Sequence, residues 1–171
     1  MKIVLLGYMG SGKSTVAREL SKLLNLTFID LDQEIENHSG ASVPEIFNQK
    51  GEVFFRKIET EVLFQLLEYK EDFVLSLGGG TPCYGLNMKK IEETEGVTSI
   101  YLKANVAELT HRLKKDQEQR PLIAGRSEKE IMEFIGKHLF ERMPFYERAN
   151  HLVLISGKTV EQIVEEIASL F

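Results

Sequence analysis

The sequence predicts a three-layer α/β/α fold built on a five-stranded parallel sheet. Three observations carry this expectation. Five brief runs rich in β-branched, aromatic or other apolar residues are separated by amphipathic stretches. Each run is followed by a turn or helix signal, which is the rhythm of strands joined by crossover helices. A glycine-rich loop follows the first run directly, where a strand turns into a helix. The length of 171 residues fits a single domain spanning 1–171. A domain of that size buries about 70% of the surface its unfolded chain exposes and needs no disulfide or metal to fold.

The elements follow in order. Ile3–Leu6 reads as the first strand. The helix that starts near Gly12 carries Val16, Leu20, Leu23 and Leu24 on one side. Leu26–Ile29 is the second strand. A long helical segment over about 32–69 interrupts the alternation and is read as a substrate-holding insertion; the plainer reading is a surface helix pair. Phe73–Leu77 and Val97–Leu102 are the third and fourth strands. The polar stretch over about 114–126, around Arg120-Pro121, is read as a lid, against a plain surface loop. A helix bearing Ile131, Phe134, Ile135, Leu139, Phe145, Tyr146 and Ala149 follows, with Ser127 and Glu130 spaced as a capping box. Leu152–Ile155 is the fifth strand. The last helix places Val160, Ile163, Val164, Ile167, Ala168 and Phe171 on one stripe, with Thr159 and Gln162 at its start.

Composition narrows the function. Hydrophobic residues make up 43% and charged residues 27%, an ordinary globular mix. With 21 Lys+Arg against 26 Asp+Glu, the net charge of −5 gives no overall attraction to nucleic acid or an anionic membrane. An anionic ligand must therefore be held by local geometry. One cysteine, Cys83, allows no internal disulfide and fits a reducing cytosol. His38, His111, His138 and His151 show no zinc-ligand spacing. No apolar run approaches the ~18 residues of a membrane span, and Ile3–Leu6 is short for a signal peptide. The expectation is a soluble, cytoplasmic monomer with no nucleic-acid or membrane partner.

Gly7-Tyr8-Met9-Gly10-Ser11-Gly12-Lys13-Ser14-Thr15 fits the phosphate-loop pattern G-x-x-x-x-G-K-[ST]. Glycines let the backbone curl so that successive N–H groups face phosphate oxygens, and the helix adds its positive end. Gly10, Ser11, Gly12, Lys13, Ser14 and Thr15 are the expected triphosphate contacts. Lys13 neutralises the outer phosphates and the Ser14 hydroxyl ligates Mg²⁺. The four aspartates are Asp30, Asp32, Asp72 and Asp116, and none has a glycine three residues on. No Asn-Lys dipeptide occurs either, so the elements of a GTPase switch are absent. One compact domain leaves little room for a mechanical ATPase, and a small-molecule kinase is favoured.

Asp30 and Asp32 lie at the carboxyl end of the second strand, on the edge where open α/β sheets bind ligands. One carboxylate suits the Mg²⁺ shell; the other suits a substrate hydroxyl. Helix capping is the competing reading for either. Gly78, Gly79 and Gly80 end the third strand and bring bare backbone close to a ligand, unless they form only a turn. Ser76 is read as a weaker contact to metal-bound water. Arg142 falls on the apolar stripe of its helix, where a guanidinium needs an anion unless it snorkels to solvent. Arg56 borders the face of Phe55, Ile58, Val62 and Leu66, with Glu59 three residues on to orient it. The two arginines suit a carboxylate clamp; for Arg56 a surface ion pair competes. Arg120 in the lid segment suits charge on a transferring phosphoryl group, or simple solvation.

Taken together these residues resemble the shikimate kinase family over nearly the whole chain. The combination is Gly7–Thr15, Asp30-x-Asp32, Gly51-x₄-Arg56-x-x-Glu59, Gly78-Gly79-Gly80, Arg120-Pro121-Leu122 and Arg142-x-x-x-Tyr146. The resemblance implies a P-loop fold like that of nucleoside monophosphate kinases. It also implies transfer of the γ-phosphoryl of ATP to the 3-hydroxyl of shikimate in aromatic amino-acid biosynthesis. By the same resemblance Lys13, Asp32 and Arg120 are catalytic, and Ser14 with Asp30 serves the metal. Asp32, Arg56, Gly78, Gly79, Gly80 and Arg142 hold shikimate, and Arg112 and Lys158 flank the adenine. Ile123 stands where the family pattern has Leu, and Lys114–Gln119 is a residue longer than that pattern. The alternatives are a gluconate or nucleoside monophosphate kinase of the same fold, or a non-catalytic nucleotide-binding module.

Overall fold

The computed structural model describes residues 1–115 and 123–171. The five runs form strands β1 (Lys2–Leu6), β2 (Thr27–Asp30), β3 (Phe73–Ser76), β4 (Val97–Lys103) and β5 (His151–Leu154), all close to their expected bounds. They lie in the order β2-β3-β1-β4-β5 and every ladder is parallel. β1 is central, with Lys2–Leu5 registered against Phe73–Ser76 on one side and Val97–Ile100 on the other. Ile3, Val4, Leu5 and Leu6 are all fully buried. A strand covered by helices on both faces has no polar side to present, which explains the unbroken apolar run. The edge strand β5 instead buries Val153 and leaves Leu152 and Leu154 exposed.

Among the described residues seven helices complete the fold: α1 (Lys13–Leu24), α2 (Leu31–Ser39), α3 (Val43–Leu67), α4 (Asn87–Glu93), α5 (Val106–Lys115), α6 (Glu128–Tyr146) and α7 (Val160–Ala168). Capping boxes start α6 at Ser127/Glu130 and α7 at Thr159/Gln162, as their spacing predicts. A third box, Ser42/Glu45, starts α3. The inward stripe of α1 differs from the expected one. Val16, Ala17, Leu20 and Ser21 are buried, while Leu23 is 57% exposed. Although Leu23 is three residues beyond Leu20, the buried set 16, 17, 20 and 21 centres the inward face between Val16 and Ser21 and leaves Leu23 roughly 90° to one side of it. Phe171 likewise lies beyond the end of α7 and is exposed.

The segment expected at 32–69 consists of α2 and α3 packed on each other. Gly51, at φ 79° and ψ 173°, breaks α3 into two helical arms. Of the expected lid, residues 116–122, Arg120 among them, lie outside the described residues. Among the described residues no helix is long and apolar enough to cross a membrane. The chain moves outward from β1 to β2, returns through β3 and then crosses to β4 beyond β1. This reversal of strand order opens a crevice at the carboxyl ends of β1, β2 and β3.

Candidate active site

The phosphate loop forms the floor of that crevice. Gly12 caps α1 in the left-handed region, at φ 85° and ψ 18°, and no side chain closes the cap. The first N–H groups of α1 therefore stay open to an anion. Lys13 is 8% exposed, and its Nζ donates to the Tyr8 carbonyl at 3.0 Å. Ser11 is buried beneath the loop, where its N–H donates to the same carbonyl at 3.2 Å. The Ser14 hydroxyl donates to Asp30 Oδ2 at 2.7 Å and lies 3.1 Å from Ser76 Oγ. Asp30 Oδ1 accepts from the Asp32 N–H at 3.1 Å and so caps α2. The capping and metal-shell readings of Asp30 are thus compatible: each uses a different oxygen.

A cavity of about 540 Å³ opens here, lined by the loop, Asp30, Asp32, Gly78, Gly79 and Arg112. The glycine turn after β3 is its far wall, and close approach explains the composition. A Cβ on Gly78 would stand 3.3 Å from Asp32 Oδ1 and 3.4 Å from Glu59 Oε1. On Gly79 it would stand 3.4 Å from Arg142 Nη1 and 3.3 Å from the Met9 nitrogen. On Gly80 it would stand only 2.5 Å from Arg56 Nη2. The turn thus gathers two carboxylates and two guanidiniums around bare backbone.

α3 supplies one guanidinium. Arg56 Nη1 donates to Glu59 Oε2 at 2.7 Å, and Arg56 Nε lies 3.5 Å from the exposed Glu52. Glu59 is 1% exposed and also accepts from the Thr81 hydroxyl at 2.6 Å. α6 supplies the other. The Arg142 guanidinium lies 5.7 Å from the centre of the Tyr8 ring, and its charge acts on the Tyr146 hydroxyl. Tyr146 in turn donates to the Gly79 carbonyl at 2.5 Å. Among the described residues Arg142 has no carboxylate within ion-pair distance.

The electrostatics follow from this crowding. The Asp32 carboxyl is open to water of the cavity but enclosed by its walls. That desolvation pushes it up to about 6, helped by the carboxylates of Asp30 and Glu59 and opposed by Lys13. Burial works against the Arg56 charge, yet Glu59 and Glu52 outweigh it and hold the guanidinium above its ordinary value. Burial raises the Cys83 thiol to about 11 despite the pull of Arg142 and Arg56, so it stays protonated and unreactive.

Of the two expected adenine contacts, Arg112 lines the cavity and Lys158 lies outside it. Arg112 Nη1 would lie 3.7 Å from a Cβ on Gly12, at the mouth of the cradle, and its Nε pairs with Glu108 at 2.7 Å. Lys158 does not line the cavity; it pairs with Glu166 of α7. Conversely, the sequence marks Glu59 only as an orienting neighbour of Arg56 and assigns no role to the hydroxyls of Tyr8 and Tyr146. The i, i+3 spacing of Arg56 and Glu59 was the available signal for the first. For the aromatics there is none: Tyr8 reads only as a loop position and Tyr146 only as a stripe and motif position. Among the described residues no three His, Cys, Asp or Glu side chains converge on a metal site. Ser14 and Asp30 nonetheless offer hard oxygen at one point, which suits Mg²⁺ taking its other ligands from phosphate and water.

Known proteins match this arrangement over the whole chain. The family model described as shikimate kinase matches residues 9–171. A shikimate kinase of Flavobacterium johnsoniae is 46% identical over 169 residues, covering 99% of this chain and 98% of that protein. The crystal structure of a shikimate kinase from Bacteroides thetaiotaomicron superposes with a TM-score of 0.90 at 34% identity, covering 99% of this chain and 97% of the other. A shikimate kinase from Acinetobacter baumannii, solved in complex with shikimate, gives a TM-score of 0.85 at 34% identity, covering 99% and 91%. Coverage this complete, at identity this high and with the phosphate loop, paired aspartates and glycine turn assembled in one crevice, places the chain in the shikimate kinase family.

Proposed function

We propose that the crevice binds ATP on the phosphate loop and shikimate against the glycine turn, and that each named residue acts through the contacts described above. As a shikimate kinase, the protein transfers the γ-phosphoryl of ATP to the 3-hydroxyl of shikimate, giving shikimate 3-phosphate and ADP. The carrying observation is the turn Gly78–Gly80, which meets Asp32, Arg142 and Arg56 within a few ångströms and abuts the loop at Met9. One small molecule bearing hydroxyls and a carboxylate can touch all of them while facing the phosphates.

In this reading Gly10, Gly12, Thr15 and Lys13 hold the polyphosphate. Lys13 exchanges its bond to the Tyr8 carbonyl for phosphate oxygens. Arg56 and Arg142 grip the shikimate carboxylate, and Asp32 accepts the proton of the attacking hydroxyl. The hydroxyl oxygen forms a bond to the γ-phosphorus as the bond to the bridging β-oxygen breaks, and ADP leaves with that electron pair. Mg²⁺, held by Ser14 with Asp30 in its outer shell, supplies charge neutralisation on the phosphates when bound. The lone cysteine supports a cytoplasmic setting.

A coupled ADP-release assay with ATP, Mg²⁺ and shikimate, gluconate or AMP tests the reading. We expect turnover with shikimate and background with the others. Release with gluconate or AMP and none with shikimate would overturn it. In the same assay Asp32→Asn should lower kcat by about 10²-fold or more if the carboxylate takes the proton.

A further inference from the structure

The geometry points to Tyr8 and His138 as a positioning pair that holds Arg142 in place for the acceptor carboxylate, although neither need touch a substrate. The inference rests on the reading of Arg142 given above. Tyr8 is the second residue of the phosphate loop, yet it is 1% exposed and turns its side chain away from the phosphates toward α6. Its hydroxyl shares a hydrogen bond of 2.9 Å with His138 Nδ1, and the two rings meet edge to face at 5.6 Å. His138 lies one helical turn before Arg142, so both point toward the same side of α6. Arg142 rests over the face of the ring that His138 holds.

A guanidinium over a phenol face gains a modest attraction that depends on where the ring sits. Tyr8 cannot choose that position alone, because its backbone is committed elsewhere. Its carbonyl accepts from the Ser11 N–H, and from Lys13 Nζ until phosphate draws that amine away. The side chain is then pinned at its far end by His138, which is itself backed by the Phe134 ring at 5.2 Å. The ring is therefore fixed at the loop and at α6, and it forms a rigid seat for the one guanidinium of the site without an acidic partner among the described residues. The Tyr146 hydroxyl, which feels the Arg142 charge, is itself committed to the Gly79 carbonyl. Losing the His138 bond should loosen Arg142 without removing its charge.

The test is steady-state kinetics on four variants with unfolding midpoints as a folding check. Tyr8→Phe removes only the hydroxyl. His138→Leu can neither give nor take the bond, whereas His138→Asn can do both. We expect Tyr8→Phe and His138→Leu each to raise KM for shikimate about three- to tenfold, several times more than any change in KM for ATP. The double variant should be no worse than either single, because both break one bond. His138→Asn should recover much of the loss. Additive losses, equal rises in both KM values, an unchanged shikimate KM, or no recovery in His138→Asn would each overturn the proposal. Arg142→Ala, measured alongside, separates the two levels: an unchanged shikimate KM there would sink the carboxylate reading itself.

Discussion

Arg56 and Arg142 reach the same glycine turn from different helices, but they are held by opposite means. Arg56 is 14% exposed and is locked to the buried Glu59, so its charge is balanced within the fold. Arg142 has aromatic neighbours and no acidic one among the described residues. The α3 wall is thus an element of structure that also faces the ligand. α6 is also packed into the core, but its Arg142 charge is balanced by no carboxylate at ion-pair distance among the described residues. A single carboxylate arriving between them finds one guanidinium fixed in place and one carrying unbalanced charge. On the function proposed above, the first would set where the ligand sits and the second would contribute more to how tightly it is held.

Truncating each arginine should separate these roles. Arg56→Ala leaves Glu59 buried, with only Thr81 as a partner and Asp32 close by. Stripping one partner from a buried pair costs about 3–5 kcal/mol, and the partial exposure of Arg56 places this case near about 2–3 kcal/mol. For a domain of this size that lowers Tm by roughly 4–12 °C, read by calorimetry or thermal circular dichroism, together with a loss of shikimate affinity. Arg142→Ala should spare Tm to within about 2 °C. It should raise KM for shikimate about 10- to 100-fold, the worth of a lost charge-assisted hydrogen-bonding group. Should Arg142→Ala destabilise the protein as much as Arg56→Ala, the two walls are not different in kind.

Gly80→Ala probes the α3 wall from the other side. Gly80 has φ −88° and ψ −16°, a conformation any residue adopts, so backbone strain is not at issue. The added methyl would instead strike Arg56 Nη2. A flexible guanidinium could normally swing aside, but this one is tied to Glu59. We expect a cost of about 1–3 kcal/mol, typical of overpacking, and a rise in shikimate KM smaller than that of Arg142→Ala. A wild-type Tm and KM would mean that Arg56 moves freely, and its contrast with Arg142 would fail.

The same asymmetry decides what could be read from the chain itself. Strands buried on both faces are unbroken apolar runs bounded by turn residues, so β1 and β3 were visible at once. The phosphate loop and Asp30-x-Asp32 were legible because their chemistry demands particular residues at fixed spacing. Arg142 was legible because a charge on an apolar stripe is costly and stands out. Glu59 did not stand out. Its neighbours Arg56 and Glu52 make the stretch look like a solvated charged face, and only the fold reveals that Glu59 points inward. Tyr8 is legible only as a loop position and Tyr146 only as a stripe and motif position, since nothing in the sequence shows where a phenol hydroxyl finds its partner. Leu23 shows the limit of composition: a large apolar residue one position off the stripe faces water.

The smallest effect is also a sharp one. Arg56 touches two carboxylates on its own helix, Glu59 at 2.7 Å and Glu52 at 3.5 Å. The Glu52 side chain is 68% exposed, whereas Glu59 is 1% exposed. Water and salt screen the outer contact, and pairs of that kind contribute about 0–1 kcal/mol. Glu52→Gln should therefore leave Tm within about 2 °C of wild type and the shikimate KM within about twofold. The small difference that remains should vanish in high salt. If Glu52→Gln instead matches Gly80→Ala in either readout, the exposed carboxylate is what steadies Arg56. Burial of its partner would then not be the feature that sets the α3 wall apart from the α6 wall.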